Sequence, residues 1–341
     1  MLKNRNENYF KLKMVVLGIL MVVAFFISFL VGRYSISIRV VWDIIRSRFT
    51  QVTPYWEPVL ETVVLQVRLP RIILALLIGG ALSISGASYQ TLFKNPMVSP
   101  DILGVSAGAG FGAALAMVND ASWWQIQLSA LIFGTIAVTV AYLIGNIFGG
   151  QSTTILVLAG IVVSSFFQSL LAIIKTLADT DNQLPSITFW LMGSLGKGSN
   201  SDVLMLLPAV ICSLLLLFIF RYSIDALSSG EDEATTMGVN VPLVKFVVIL
   251  SSTMITVVSV SICGIIGWVG MVVPHIARLV VGSVYSKLSV SSFMIGGVFL
   301  LIIDNIIRGI EGVELPLGVL TALVGTPVFV ILLSRARKVW S

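Results

Sequence analysis

The chain has 341 residues, of which 57% are hydrophobic and only 11% charged, and its mean hydropathy is +1.02. That balance excludes a soluble domain and dictates an all-α polytopic membrane protein. The formal charge of +5 is scattered between apolar spans, so membrane topology accounts for it and nucleic acid is not an expected partner. One histidine and two cysteines leave little material for metal or thiol chemistry. Cys212 and Cys263 sit in apolar runs, where a free cysteine packs as a small hydrophobe, and no disulfide, metal or cofactor is expected.

Apolar windows predict about ten transmembrane helices of roughly 20 residues each, in a single membrane domain spanning residues 1–341. Their cores fall at 14–32, 69–89, 100–118, 126–148, 154–174, 203–220, 243–263, 265–283, 290–306 and 316–333. The first imitates a signal peptide, but it is longer than a typical apolar h-region and G-R-Y-S-I-S-I after it offers no small-x-small cleavage site. It reads as a retained span. The loop 33–61 then contains I-S-I-R-V-V-W-D-I-I-R-S-R-F, an amphipathic pattern expected to lie on the outer surface as an interfacial anchor.

An even number of spans places both termini on one side, and Lys3, Arg5, Lys11, Lys13 with Arg335, Arg337 and Lys338 make that side cytoplasmic. Lys94, Arg221, Lys245, Arg278 and Lys287 fall inside as well. Arg33, Arg39, Arg46, Arg48, Arg68, Arg71, Lys175, Lys197 and Arg308 fall outside, against the positive-inside rule, and that concentration asks for a functional reason. Arg68 and Arg71 stand in V-R-L-P-R at the outer end of the second span. Arg308 stands in D-N-I-I-R at the outer end of the ninth. All three reach one face. Snorkelling side chains that fix helix depth are the plain reading, and Asp304, four residues before Arg308, is positioned for an intrahelical pair.

Past the second span, Q-T-L-F-K-N-P-M-V-S-P-D-I-L-G-V-S-A-G-A-G interrupts the helix. Pro96 and Pro100 forbid its continuation, Ser99 or Asp101 can cap the next one, and Gly104, Gly108 and Gly112 form a small-residue stripe for close packing. Broken backbone at membrane depth is tolerated only where protein or a water-filled cavity shields it, so this segment points to a transport pathway. In G-G-Q-S-T-T, Ser152 or Thr153 caps the fifth span. In L-S-S-G-E-D-E-A-T-T-M-G, Ser228 with Glu231 reads as a capping box, Glu231, Asp232 and Glu233 suit the first turn's positive dipole, and Gly238 suits the stop. A short polar helix over about 228–238 follows. In G-M-V-V-P-H-I-A-R, Pro274 and His275 read as a helix start or break near the membrane interior, with Arg278 snorkelling inward. A single imidazole without a second ligand is a poor metal site.

These stretches together resemble, motif by motif, the permease family of ABC importers for iron-siderophores, haem and cobalamin, often called the FecCD family. Asn95-Pro96 through Gly108-Ala109 is similar to the family's N-P-L-A-x-P-x-x-L-G-x-x-x-G-A, with Met97 in place of Leu. Glu231 to Val241 resembles L-G-E-x-x-A-x-x-L-G-V-x-V, although Ser228-Ser229-Gly230 departs from its start, and Gly264 to Gly282 resembles G-F-I-G-L-V-V-P-H-x-x-R-x-x-x-G. The resemblance runs from Arg68 to Leu333. It implies an inverted repeat of four-helix halves, at 69–174 and 243–333. It also implies that Arg68, Arg71 and Arg308 dock acidic residues of an extracytoplasmic substrate-binding protein. Thr153 and Thr154 would form a cytoplasmic gate where two permease copies meet, identical or homologous. The helix at 228–238 would be a coupling helix seated in a cytoplasmic ATP-binding subunit.

No G-x-x-x-x-G-K-[ST] loop is present, so a separate pair of ATP-binding subunits is expected to hydrolyse ATP and the chain itself is not expected to be an enzyme. The implied function is inward translocation of an iron-siderophore-type metal chelate by alternating access through the cell membrane, with haem or cobalamin as the alternative cargo. An ion-coupled secondary transporter needs ionisable residues at mid-membrane, and an intramembrane lipid enzyme needs a His or acidic cluster near the interface. The interior charges here are almost limited to Asp304, and an adjacent reading frame for an ATPase would separate these classes.

Overall fold

The computed structural model describes residues 2–32, 34–149, 152–310 and 315–340, with the backbone alone for 2–6 and 333–340. The described residues are helical apart from turns and short connections. The helices are α1 (Leu2–Ser28), α2 (Ile38–Ser47), α3 (Pro58–Thr62), α4 (Leu69–Leu92), α5 (Val105–Val118), α6 (Trp123–Gly149), α7 (Thr153–Leu177) and α8 (Gln183–Leu191). They continue as α9 (Asn200–Ile219), α10 (Arg221–Ser229), α11 (Glu231–Thr236), α12 (Val241–Cys263), α13 (Val269–Val281), α14 (Tyr285–Gly309) and α15 (Leu317–Trp340). A π-helical stretch, Val63–Arg68, joins α3 to α4 without a break, giving one helical segment from Pro58 to Leu92. Arg33 and the Glu311–Glu314 part of the last motif lie outside the described residues.

Seven of the described helical segments are long and apolar enough to cross a membrane, and three shorter apolar helices accompany them. Each of the ten expected windows therefore meets a helix, but two were read too long. The window 100–118 contains a turn up to Gly104 and helix only from Val105, and 265–283 contains helix only over Val269–Val281. At 1.5 Å per residue these short helices reach about 20 Å, too little to cross the hydrocarbon unaided. Both begin inside the protein after a stretch of irregular backbone.

Burial sorts the helices sharply. The membrane-length window of α4 is 89% buried and that of α12 is 78% buried, whereas that of α1 is fully outside the core. The two central helices run antiparallel. The Ser85 hydroxyl lies 2.9 Å from that of Thr256, and Tyr89 Oη lies 2.9 Å from the Thr253 hydroxyl, so the chain ascends one helix as it descends the other. Hydroxyl pairs of this kind replace the hydrophobic driving force that lipid cannot supply. Each central helix opens a series of the same form: long helix, break, short helix, long helix, then a further helix. α4 packs on α13 and α14 of the other series, and α12 packs on α5 and α6.

Close approach depends on glycine at two crossings. A Cβ on Gly86 would lie 1.7 Å from the Gly270 carbonyl oxygen, and one on Gly296 would lie 2.4 Å from the Gly79 carbonyl oxygen. α4 thus meets α13 and α14 backbone to backbone.

Candidate functional site

The three arginines expected at one face do converge there, lining one cavity, and two of them pair with one carboxylate. Asp304 has no exposed surface. Both Nε and Nη2 of Arg71 lie 2.9 Å from its Oδ1, and Arg308 Nε lies 2.9 Å from its Oδ2 as an ion pair lacking hydrogen-bond alignment. Arg308 also donates to the Val31 carbonyl at 3.3 Å and to Asn305 Oδ1, whose amide donates to the Ser28 hydroxyl at 2.8 Å. Arg68 is buried and donates to the carbonyls of Phe29 and Tyr34. The snorkelling reading is corrected by these contacts: the guanidiniums turn inward and tie α1, α4 and α14 together. They line a 330 Å³ cavity with Ser194 and Gly196. Three cations line that cavity, and two of them share the one buried carboxylate of Asp304.

The first break is built by local bonds. Lys94, at φ 48°, ends α4. The Met97 amide donates to Asn95 Oδ1 at 2.9 Å, an Asx turn that seats Pro96, and the Ser106 amide donates to Asp101 Oδ1 at 2.6 Å. Asp101 therefore supplies the expected cap from ahead of the helix, while the N-cap position itself is Gly104, at φ 87°. Gly108 and Gly112 face α6, where a Cβ would meet the carbonyls of Phe133 at 2.5 Å and Ser129 at 2.4 Å. The second break turns on Gly264, at φ 73°, and Trp268, at φ 69°. The first break touches the start of α13, which follows the second: a Cβ on Gly270 would lie 2.2 Å from Pro100 Cγ.

Pro274 and His275 are not a helix start or break, because α13 begins at Val269 and carries Pro274 in its interior. Proline removes the N–H that would bind the Gly270 carbonyl. The Gln90 amide approaches that carbonyl at 3.5 Å, and donates at 3.2 Å to Met271 and at 3.1 Å to Val98. His275 Nε2 lies 2.8 Å from the Pro96 carbonyl oxygen, a distance that makes the imidazole a donor there. Arg278 does not snorkel inward but donates to Gln90 Oε1 at 2.5 Å. One histidine, one glutamine and one arginine thus hold the first break against the second half.

At the opposite end from the arginines, Ser152 is the N-cap residue of α7 without a side-chain cap bond. Thr153 is half-buried and Thr154 exposed on the first turn. Thr153 lines a 190 Å³ cavity with Tyr142, Asn146 and Lys245. Lys245 Nζ in turn lies 2.7 Å from Glu231 Oε2 of α11, which joins the acidic helix to the cavity wall beside Thr153.

The capping box expected at Ser228 and Glu231 is absent. Ser228 lies in the last turn of α10 and donates to the Asp225 carbonyl at 2.6 Å, Gly230 occupies the N-cap position of α11, and Glu231 opens that helix with Asp232 and Glu233. Gly238, at φ 79°, does stop it. The polar segment is therefore two short helices hinged at Gly230. A capping box occurs instead at Ser199 and Asp202, whose second oxygen accepts from Gln127 at 2.7 Å. Sequence reasoning also missed Asp225, which accepts from the Tyr285 amide at 2.5 Å and the Ser286 amide at 3.3 Å and so fixes the start of α14. Among the described residues no three His, Cys, Asp or Glu side chains gather as a metal site.

Residues 20–335 match the model of the FecCD transport family. The chain is 35% identical over 323 residues to the molybdate import system permease protein MolB of Haemophilus influenzae, covering 94% of this chain and 95% of the relative. It is 38% identical over 280 residues to a probable iron chelatin transport system permease protein of Helicobacter pylori, covering 82% and 85%. A solved structure described as an inward-facing metal-chelate type ABC transporter superposes with a TM-score of 0.84 at 34% identity, over 94% of this chain and 98% of that one. Seven apolar spans, two helix breaks and a match along nearly the whole length have one common explanation: the chain belongs to the FecCD transport family, as a multi-pass ABC transporter permease of the plasma membrane.

Proposed function

We propose that the chain is the permease of a binding-protein-dependent importer and that its cargo is a metal chelate of the iron-siderophore type. Ten spans in two inverted halves, with both termini cytoplasmic, form the pathway with a second permease copy. The arginine-lined cavity receives an acidic residue of the extracytoplasmic binding protein, Thr153 and Thr154 form the inner gate, and α11 seats in a cytoplasmic ATP-binding subunit. The pair of ATP-binding subunits supplies the energy.

The observation that supports the chelate is the open face of α7, the helix that begins at Thr153. It presents Leu158, Ile161, Val162 and Phe166 with the hydroxyls of Ser165 and Ser169, and no charged residue before Lys175. Such a wall suits a cargo whose metal charge is hidden inside an organic shell. A bare oxyanion would lose hydration there without a compensating cation. The extent of the MolB match gives molybdate a place as the second reading.

Reconstituting the permease with its ATP-binding and binding proteins in vesicles and measuring ATP-dependent accumulation of radiolabelled ferric siderophore, haem, cobalamin and molybdate tests this directly. Uptake of the siderophore is expected. Molybdate uptake without siderophore uptake would replace the first reading by the second, and no ATP-dependent uptake of any of them would sink both.

A further inference from the structure

We propose that the groove between α1 and α2 is a binding site for an anionic phospholipid, with an acyl chain on Phe26, Trp42 and Ile45 and the phosphate held by Arg39 and Arg46. The groove has a volume of 420 Å³ and is lined by Phe26, Ile38, Arg39, Val41, Trp42 and Ile45. Its floor is a ring contact between Phe26 and Trp42, with centroids 6.3 Å apart.

α2 is divided lengthwise into strips. Val41 and Ile44 are buried against the core. Ile38 and Trp42 are more than half exposed, and Phe49 just beyond the helix is 85% exposed, on a face that opens toward the lipid side of α1. Arg39 and Arg46 lie seven residues apart on the edge of that face, two turns along one ridge. Asp43 stands on the same ridge, four residues after Arg39 and three before Arg46, but its carboxylate accepts from the Tyr55 hydroxyl at 2.8 Å and is not within ion-pair distance of either arginine. Arg48 points elsewhere and pairs with Glu61 at 2.5 Å. Among the described residues Arg39 and Arg46 make no ion pair.

Arg39 in the lining of the apolar groove, with exposed Arg46 two turns further along the same ridge, complements a single molecule that is anionic at one end and hydrocarbon at the other. Trp42, between them in sequence and more than half exposed, is of the residue type enriched at membrane interfaces. Continuity with α1, whose membrane-length segment is entirely outside the core, gives an acyl chain a path into the bilayer from the groove. Each arginine near a charged lipid surface contributes about a fivefold preference.

The test uses the full chain in vesicles and follows quenching of Trp42, obtained as the difference between the protein and its Trp42→Phe variant. Brominated phosphatidylglycerol and brominated phosphatidylcholine of the same chain length are titrated at low salt. Stronger quenching by the glycerol lipid is expected, with the preference falling about fivefold in Arg39→Gln and again in Arg46→Gln, while Arg48→Gln keeps it. Equal quenching by the two lipids in the unaltered protein, or a preference that survives the double change, would overturn the site. So would a Trp42 that neither lipid quenches, since another protein copy would then cover the groove. Arg39 and Arg46 are exposed, so their loss leaves the fold intact, and retained quenching by the choline lipid confirms it in the same experiment.

Discussion

Asp304 is fully buried and paired with two guanidiniums, so its loss has a large energetic consequence. Asp304→Asn leaves two buried cations facing each other. Breaking a buried pair from one side costs about 3 to 5 kcal/mol. The variant is expected to unfold at markedly lower temperature in detergent, and adding Arg71→Gln should recover part of the loss by removing one of the stranded charges. An unchanged transition in Asp304→Asn would show that solvent reaches the cluster. The same geometry means that reversing Arg71 or Arg308 to Glu disrupts the fold before it reports on docking of a binding protein. Arg71→Gln, which removes one cation without adding a second buried anion and leaves Arg308 paired with Asp304, is the milder probe.

At the other end, Lys245 and Glu231 form a pair of a different kind, since the glutamate is 42% exposed and the lysine 10%. An exposed partner limits its contribution to stability to about 0 to 1 kcal/mol. Its consequence is therefore expected in coupling. Glu231→Lys should leave the chain inserted and reduce substrate-stimulated ATP hydrolysis, and the exchange with Lys245→Glu should restore it, measured on the assembled transporter. If the exchanged protein stays as impaired as the single variant, the pair does not link α11 to the gate segment.

Among the elements, the crossing of α4 and α13 is the least tolerant. Gly86→Ala drives a methyl group to 1.7 Å from the Gly270 carbonyl, where backbone has to move. Overpacking of that sort costs typically 1 to 3 kcal/mol, and it also separates α13 from the first break, which it meets at Pro100. Loss of uptake with reduced thermal stability is expected. Gly267→Ala, with open space around its Cβ, is the matched control and should transport normally. Equal behaviour of the two variants would mean that the crossing is loose.

The elements also show what a sequence can and cannot reveal. Helix identity was legible because apolar runs of membrane length have few other solutions, and the break at Asn95–Pro100 was legible because proline is a local rule. The short lengths of α5 and α13 were not, since apolar residues such as Ile102, Leu103, Ile265 and Ile266 lie in the irregular backbone just before each helix. The motif S-x-x-[DE] occurs at Ser199 and at Ser228, and only the first makes a box. Beside the second, Gly230 lets the chain turn, and α10 ends where a cap was expected. The partners of Arg68, Arg71 and Arg278 were hidden for a different reason. Only Asp304 with Arg308 lies within one turn in sequence, whereas Asp304 is 233 positions from Arg71 and Gln90 is 188 from Arg278.

For the whole molecule, the contact that the proposed function requires is with a second permease, identical or homologous, and the first turn of α7 is where it should be sought. That turn holds Thr153 against the Lys245 cavity and leaves Thr154 exposed, so the two threonines of the proposed gate are not equivalent. Thr154→Cys is expected to form a disulfide across the permease pair in the resting, ATP-free transporter, and Thr153→Cys to react much more slowly because its side chain turns toward its own chain. Cys212 is exposed and free, so the experiment needs Cys212→Ser as background, whereas Cys263 is buried and can remain. Crosslinking is read by electrophoresis after mild oxidation, and nucleotide binding by the ATP-binding subunits should change its rate if the first turn of α7 moves during transport. Equal crosslinking at both positions would mean that the turn rotates freely and that the cavity does not orient it. Absence of crosslinking at Thr154, with a positive control at Val162 on the exposed face of the same helix, would place the gate elsewhere along α7.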